Sequence, residues 1–300
     1  MKIHITRTTR TVLAVALALA TASTTHAAIL TFGRVDPSYP GSGDWTVTTL
    51  EIGRNFNSGT VIVNSDTTPN TGRIITSDNG IIGGALRLSD GSVRIEGAGS
   101  VWNNTNQIIV GSDSALDAIL NITQGGVVNS GSGLIGDNLS IDSTVTVSGV
   151  GSQWNMTGNL QFGEDATLTI EDGGLVSNVD ALLGDSFGNS VIVRGTGSQW
   201  NNSGTLEMVA NSLTIENGGV VNSVDGRVNT SSSSGPSTVT ITGAGSLWNL
   251  TGQLTVGERN NTRFTISDGG RVNSVGGVVN NTPGANVMTI TGAGSLWENT

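Results

Sequence analysis

Apolar and polar residues alternate in short bursts along most of this chain, and the bursts recur. The triplet VTV at 145–147 returns as LTI at 168–170, VIV at 191–193, LTI at 213–215 and VTI at 239–241. The first residues of these triplets are Val93, Leu120, Val145, Leu168, Val191, Leu213, Val239, Phe264 and Met288, a period of about 24 residues. Period 2 inside a triplet means a strand, with Val145 and Val147 on one face and Thr146 on the other. Glycine and β-branched residues are frequent and no 3.6-residue periodicity appears, which excludes helical repeats.

A second pattern runs through the first. Gly-x-Gly-Ser-x-Trp occurs five times, ending at Trp102, Trp154, Trp200, Trp248 and Trp297, at intervals of 52, 46, 48 and 49 residues. Halfway between tryptophans a related unit puts valine at the same place. The column reads Trp102, Val128, Trp154, Val176, Trp200, Val221, Trp248, Val272, Trp297. The residue after it is Asn103, Asn129, Asn155, Ser177, Asn201, Asn222, Asn249, Asn273 and then Glu298. A polar column beside an apolar one needs a geometry that stacks equivalent residues directly. A unit this short cannot close its own core and must stack on its neighbours.

The prediction is therefore an all-β chain, a right-handed parallel β-helix with coils of about 24 residues, the hand following from the preference of parallel crossovers. Ten to eleven coils rising about 4.8 Å each would make a rod on the order of 50 Å long. The asparagine column is expected to be an internal side-chain ladder along the stack. Within each unit a second strand ends in an apolar residue plus glycine, as at Val110-Gly111, Ile135-Gly136, Phe162-Gly163, Leu183-Gly184 and Val256-Gly257. A connection of variable length follows, the longest being NTSSSSGPST at 229–238. Variation confined to one corner puts these loops on one side of the rod, often the binding side of a solenoid.

The domain reading is a signal peptide over 1–27, a lead-in or cap over 28–44, and a repeat domain over 45–300 with clean repeats from Val93. Lys2, Arg7 and Arg10 form a basic n-region, 11–22 a short apolar run, and Thr25-His26-Ala27 a small-residue cleavage site. The apolar run is too short to span a bilayer as an anchor. Residues 28–44 carry two prolines and no repeat, as suits a solenoid end cap. In 54–92, Val61–Val63 and Arg73–Ile75 are the candidate strands.

Export changes the available chemistry. His4 and His26 are the only histidines and Lys2 the only lysine, so all three leave with the signal peptide, and the chain has no cysteine. Thirteen basic residues less three leaves ten, all arginine, against 23 acidic ones, for a net charge of −13. An exported chain without cysteine draws its stability from the stack rather than from disulfides. The acidic balance argues against nucleic acid or anionic lipid as partner.

The units at 149–163 and 168–178, with their GxGSxW and GGxVxNS cores, resemble the repeat shared by type V secretion (autotransporter) passengers and PEP-CTERM-associated proteins. The resemblance covers about 93–300, and 45–92 weakly. It implies an exported protein of the bacterial surface, outer membrane or extracellular space, with a β-helical passenger that is structural or adhesive. It brings no catalytic residue and no cofactor, and it implies host-surface or matrix glycans or proteins as partners. It also implies a C-terminal translocator barrel, which these residues do not include, so the chain reads as a piece of something longer.

Other signals weigh less. Gly184-Asp185-Ser186-Phe187-Gly188 fits the G-x-S-x-G elbow, but its histidine base is missing from the mature chain. Gly131-Ser132-Gly133-Leu134-Ile135-Gly136 fits G-x-G-x-x-G with no helix after it, and turn glycines explain it. The tryptophans could stack on sugar rings, but their exchange with valine argues for burial. The sequons at Asn155 and Asn249 fall where the amide column puts asparagine anyway. Glu164, Asp165, Asp172, Asp180 and Asp185 could hold Ca²⁺, yet their spacing matches neither an EF-hand nor the glycine-aspartate nonapeptide. A carbohydrate-active β-helix of the lyase or hydrolase kind is the alternative reading. It needs paired carboxylates in a groove, and these carboxylates fall on different coils. No catalytic, cofactor or metal residue is assigned.

Overall fold

A computed structural model describes residues 28–300, apart from 39, 41–42, 55–58, 65–72, 85–89, 113–114, 138–139, 185–187, 229–234, 258–261 and 281–285. The proposed signal peptide lies outside the described residues. The fold is all-β, a solenoid of parallel sheets with about 25 residues per turn.

Each turn carries three strands. In one turn these are Ser143–Ser148, Gln153–Met156 and Leu160–Phe162. In the next they are Ala166–Glu171, Leu175–Asn178 and Ala181–Leu183. The first strand of each turn holds the apolar triplet, so its stack forms a triplet face. The second holds Trp or Val, and its stack forms a tryptophan face. The third returns the chain and forms a closing face. Eight complete turns of this kind run from Gly91 to Val279. The four-residue strand around each tryptophan is the one the sequence pattern did not isolate.

Register is one to one between turns. Val145 pairs with Leu120 below and Leu168 above, and Trp154 pairs with Val128 and Val176. Burial alternates along each strand: Val145 and Val147 are buried while Thr144, Thr146 and Ser148 are half-buried. The inward residues of all three faces form one continuous apolar core from Trp45 to Val272. Burying aliphatic and indole surface in this column is the main stabilising term.

The corner between the triplet and tryptophan faces shows why the signature is rich in glycine. Gly149 and Gly151 have φ of 93° and 85°, in the region that favours glycine. A Cβ on Gly151 would meet the Gly125 Cα of the turn below at 3.4 Å. In valine turns the same corner uses a short polar residue and a glycine, as in Asp172 (φ 54°) and Gly173 (φ 87°). The serine of the signature ties the two corner types together. The Ser152 hydroxyl accepts the Gly125 N–H at 3.0 Å and donates to the Ser148 carbonyl at 2.7 Å. Ser198, Ser246 and Ser295 likewise accept the N–H of Gly173, Gly218 and Gly269. Ser198 is fully buried, so Ser198→Ala leaves the Gly173 amide without its acceptor. The expected loss is about 1–2 kcal/mol in a denaturant titration; no measurable change would show that the corner holds itself.

The lead-in closes the start of the stack. Ala28–Gly33 pairs antiparallel with Gly59–Asn64, and Val35–Asp36 pairs antiparallel with Glu51 and Ile52. The first parallel strand of the triplet face therefore has its edge occupied. Trp45–Arg54 and Ile74–Gly84 are long strands that pair with each other and run from the tryptophan face onto the closing face. This is where the repeat is degenerate in sequence.

Candidate functional site

The tryptophan column is core. Trp102, Trp154, Trp200 and Trp248 are fully buried, so none of these four indole faces is open to a sugar ring, and Trp297 is partly buried against the same cluster. Each of the five indole N–H groups donates to the turn below. The acceptors are the hydroxyls of Ser77, Ser130, Ser223 and Ser274, at 2.9–3.1 Å, and the Asn178 side-chain oxygen at 2.9 Å for Trp200. These acceptors stand two residues after the Ile or Val of the alternate turns. A buried indole N–H left without a partner costs about 1–3 kcal/mol, so an alternating partner residue is a physical requirement.

Room for the indole comes from the closing face of the turn below. A Cβ on Gly80, Gly133, Gly226 or Gly277 would lie 2.2–2.8 Å from Cζ2 of Trp102, Trp154, Trp248 or Trp297 respectively. Ala181 occupies that place below Trp200, where the Phe162 ring meets the indole edge-on with centroids 6.3 Å apart. The tryptophan turns carry Ile108, Leu160, Leu206 and Leu254 instead. Small and large residues thus alternate on the closing face out of phase with Trp and Val. This also corrects the reading of G-x-G-x-x-G: the strand is Ser132–Ile135, and Gly133 is an in-strand glycine made necessary by Trp154, not a turn glycine.

The asparagine ladder exists, but it points outward, the correction that strand parity demands beside an inward tryptophan. Asn129 donates to Asn103 at 2.8 Å and Asn155 to Asn129 at 3.1 Å. The Ser177 hydroxyl donates to Asn155 at 3.1 Å, and Asn222 donates to Asn201 at 2.7 Å. These residues are half-buried. Asn155 also donates to Gln153 at 3.1 Å, so this sequon amide is engaged in the ladder. Asn249 accepts from Asn273 at 3.4 Å.

Among the described residues the acidic candidates do not converge. Asp165 (φ 46°) and Asp172 (φ 54°) occupy corners. Asp180 accepts the Thr205 N–H at 2.8 Å. Asp185, with Ser186 and Phe187 of the G-x-S-x-G match, lies outside the described residues. Among the described residues no three His, Cys, Asp or Glu side chains are grouped to hold a metal. Arg194 makes a two-pronged contact with Glu171, its Nε at 2.7 Å, and this hydrogen bond raises an already high guanidinium pKa. At 47% exposure for Arg194 that pair has little energetic weight.

The connections of variable length all leave the closing face and enter the triplet face. The described strands that bound them place the start and end of each connection at the same point of every turn, where the sequence pattern put the variation. The class of protein the fold defines is thus a parallel β-solenoid with one variable edge. No family model, curated protein or solved structure matches the chain.

Proposed function

We propose that this chain is a non-enzymatic exported passenger of an autotransporter-like protein, structural or adhesive at the bacterial cell surface. One observation carries most weight. Apart from the Ser100 hydroxyl, which is buried without a partner, the recurring residues of the two signatures serve the stack itself. Glycines stand at corners and beneath indoles, serines tie the corners, Trp and Val fill the core, and asparagines bond to one another. The repeat is therefore a scaffold, and what varies along it is a single edge of loops. The basic and apolar residues of 1–27 support export, and a mature segment free of His, Cys and Lys supports a role without histidine, thiol or amine chemistry.

The test is to express the complete reading frame in a Gram-negative host, localise the repeat by surface proteolysis, and measure binding of whole cells to immobilised glycans and matrix proteins. The expected result is protease-accessible repeat on the cell surface, with binding lost when the loop at 229–236 is replaced by a short glycine-serine linker. Retention in the cytoplasm of the intact frame would end this reading.

A further inference from the structure

Two of the three faces present a regular polar column to solvent, and they differ in one physical respect. Neighbouring residues in a parallel ladder stand about 4.8 Å apart. The amide arms of asparagine reach across that gap and bond to each other. At the glycine corner of the triplet face the Ser267 hydroxyl also reaches its neighbour, donating to Thr242 at 2.8 Å, but the threonine hydroxyls of the two columns further in make no such bond. On the triplet face the outward residues are Thr144 and Thr146, Thr167 and Thr169, Ser190 and Ile192, Ser212 and Thr214, Thr238 and Thr240. The central column continues through Thr265 to Thr289. Register is unbroken from turn to turn: Thr146 pairs with Thr169, Ile192 with Thr214, Thr214 with Thr240. Among the described residues none of the threonine hydroxyls at 144, 146, 167, 169, 214, 238 or 240 has a hydrogen-bond partner in the protein.

These hydroxyls must bond to water, and the ladder dictates where that water sits. Two hydrogen bonds of about 2.8 Å meeting at a tetrahedral oxygen span about 4.6 Å. That is within a few tenths of an ångström of the ladder spacing of about 4.8 Å. One water can therefore bridge Thr144 to Thr167, Thr146 to Thr169 and Thr214 to Thr240, hydroxyl pairs that stand as second neighbours do in a tetrahedral water network, with Ile192 interrupting the central column. The field has two columns, extends roughly 20 Å along the rod, and bears no charge at these ten positions in a chain of net charge −10. Its charges, Glu171, Arg194 and Glu216, are confined to the next outward column beside the glycine corner. Each threonine also presents a methyl group, which orders adjacent water without competing for its hydrogen bonds. Stacking and side-chain ladders of the kind on the adjoining face are what hold a long sheet flat.

We propose that the triplet face, from Thr144 to Thr240, is an ice-binding surface. Ice is the partner whose own lattice repeats the tetrahedral second-neighbour spacing in rows, and two uncharged rows of hydroxyl and methyl groups at that spacing along the rod, set about 6.6 Å apart across it, fit it. This inference stands on the triplet face alone and does not depend on the passenger reading.

The purified full chain is cooled with a seed crystal in a nanolitre osmometer. The expected result is a gap between melting and freezing points together with faceted crystals. Thr169→Lys combined with Thr214→Lys places two charges in the field and is expected to abolish both effects while the circular-dichroism melt stays unchanged. If that variant does not fold, Thr169→Ser with Thr214→Ser, which keeps the hydroxyls and removes the methyls, is expected to shrink the gap. Leu182→Lys, on an exposed position of the closing face, is expected to leave it intact. The proposal is overturned if the wild-type chain shows no gap and no faceting, if the folded lysine and serine variants keep both in full, or if Leu182→Lys loses them equally. A sedimentation shift from dimer to monomer in the lysine variant, with no effect on ice in any form, would assign the face to self-association and overturn it too.

Discussion

Trp154→Ala is expected to destabilise the solenoid by about 3–5 kcal/mol, the cost of emptying a fully buried aromatic site. The indole sits between Val128 and Val176 in register, over Gly133, with its N–H on the Ser130 hydroxyl at 3.0 Å. Removing it opens a cavity and strands a buried hydroxyl in the middle of the rod. Because each turn contacts only its neighbours, the loss acts on the coupling between the two halves as well as on total stability. Urea unfolding followed by circular dichroism should change from one transition to two. Trp154→Phe, which keeps the ring but not the N–H, should fall between the two, at about 1–3 kcal/mol. A loss under about 1 kcal/mol for the alanine variant would mean that the column is not the principal source of stability.

Gly226→Leu tests the same packing from the other side, with an expected cost of about 3 kcal/mol, the upper end for overpacking. A Cβ there would lie 2.8 Å from Trp248 Cζ2, 2.8 Å from Leu250 Cδ2 and 3.0 Å from Leu254 Cδ1. None of these can retreat, since all three are buried in the core. Combining it with Trp248→Val makes room for the leucine, so the double variant should be more stable than the sum of the two singles by about 0.5–3 kcal/mol. Strict additivity in that double-mutant cycle would show that the glycine and the indole do not share one volume.

Much of this architecture was legible in the sequence, because a solenoid writes the same residue into the same place on every turn. The VTV and LTI triplets, the Trp–Val column and the variable corner each repeat one residue type at one offset. The alternation of Trp with Val gave burial correctly. Its physical partner was missed because it lies on the turn below, on a different strand: Gly80, Gly133, Ala181, Gly226 and Gly277. The signal was present, since each follows its own Ile or Val by five residues while Ile108, Leu160, Leu206 and Leu254 follow their tryptophans by six. The side of the asparagine ladder was also decidable, because Trp154 and Asn155 are adjacent in one strand and cannot face the same way. No sequence rule finds a ligand for the outer columns, since the residues that repeat most faithfully are those serving the stack.

The offset between indole and glycine has a consequence for how such a chain can lengthen. A turn bearing tryptophan needs beneath it a turn bearing a small closing-face residue and a polar acceptor, so the unit of growth is the couple, not the single coil. Excising one coil would set indole against indole, or hollow against hollow, at the new junction. Excising two in succession would leave a seam that neighbouring coils read as their own. Duplications and deletions that survive in such a gene should therefore come in even numbers, and the rod's length is quantised in steps of twice its pitch.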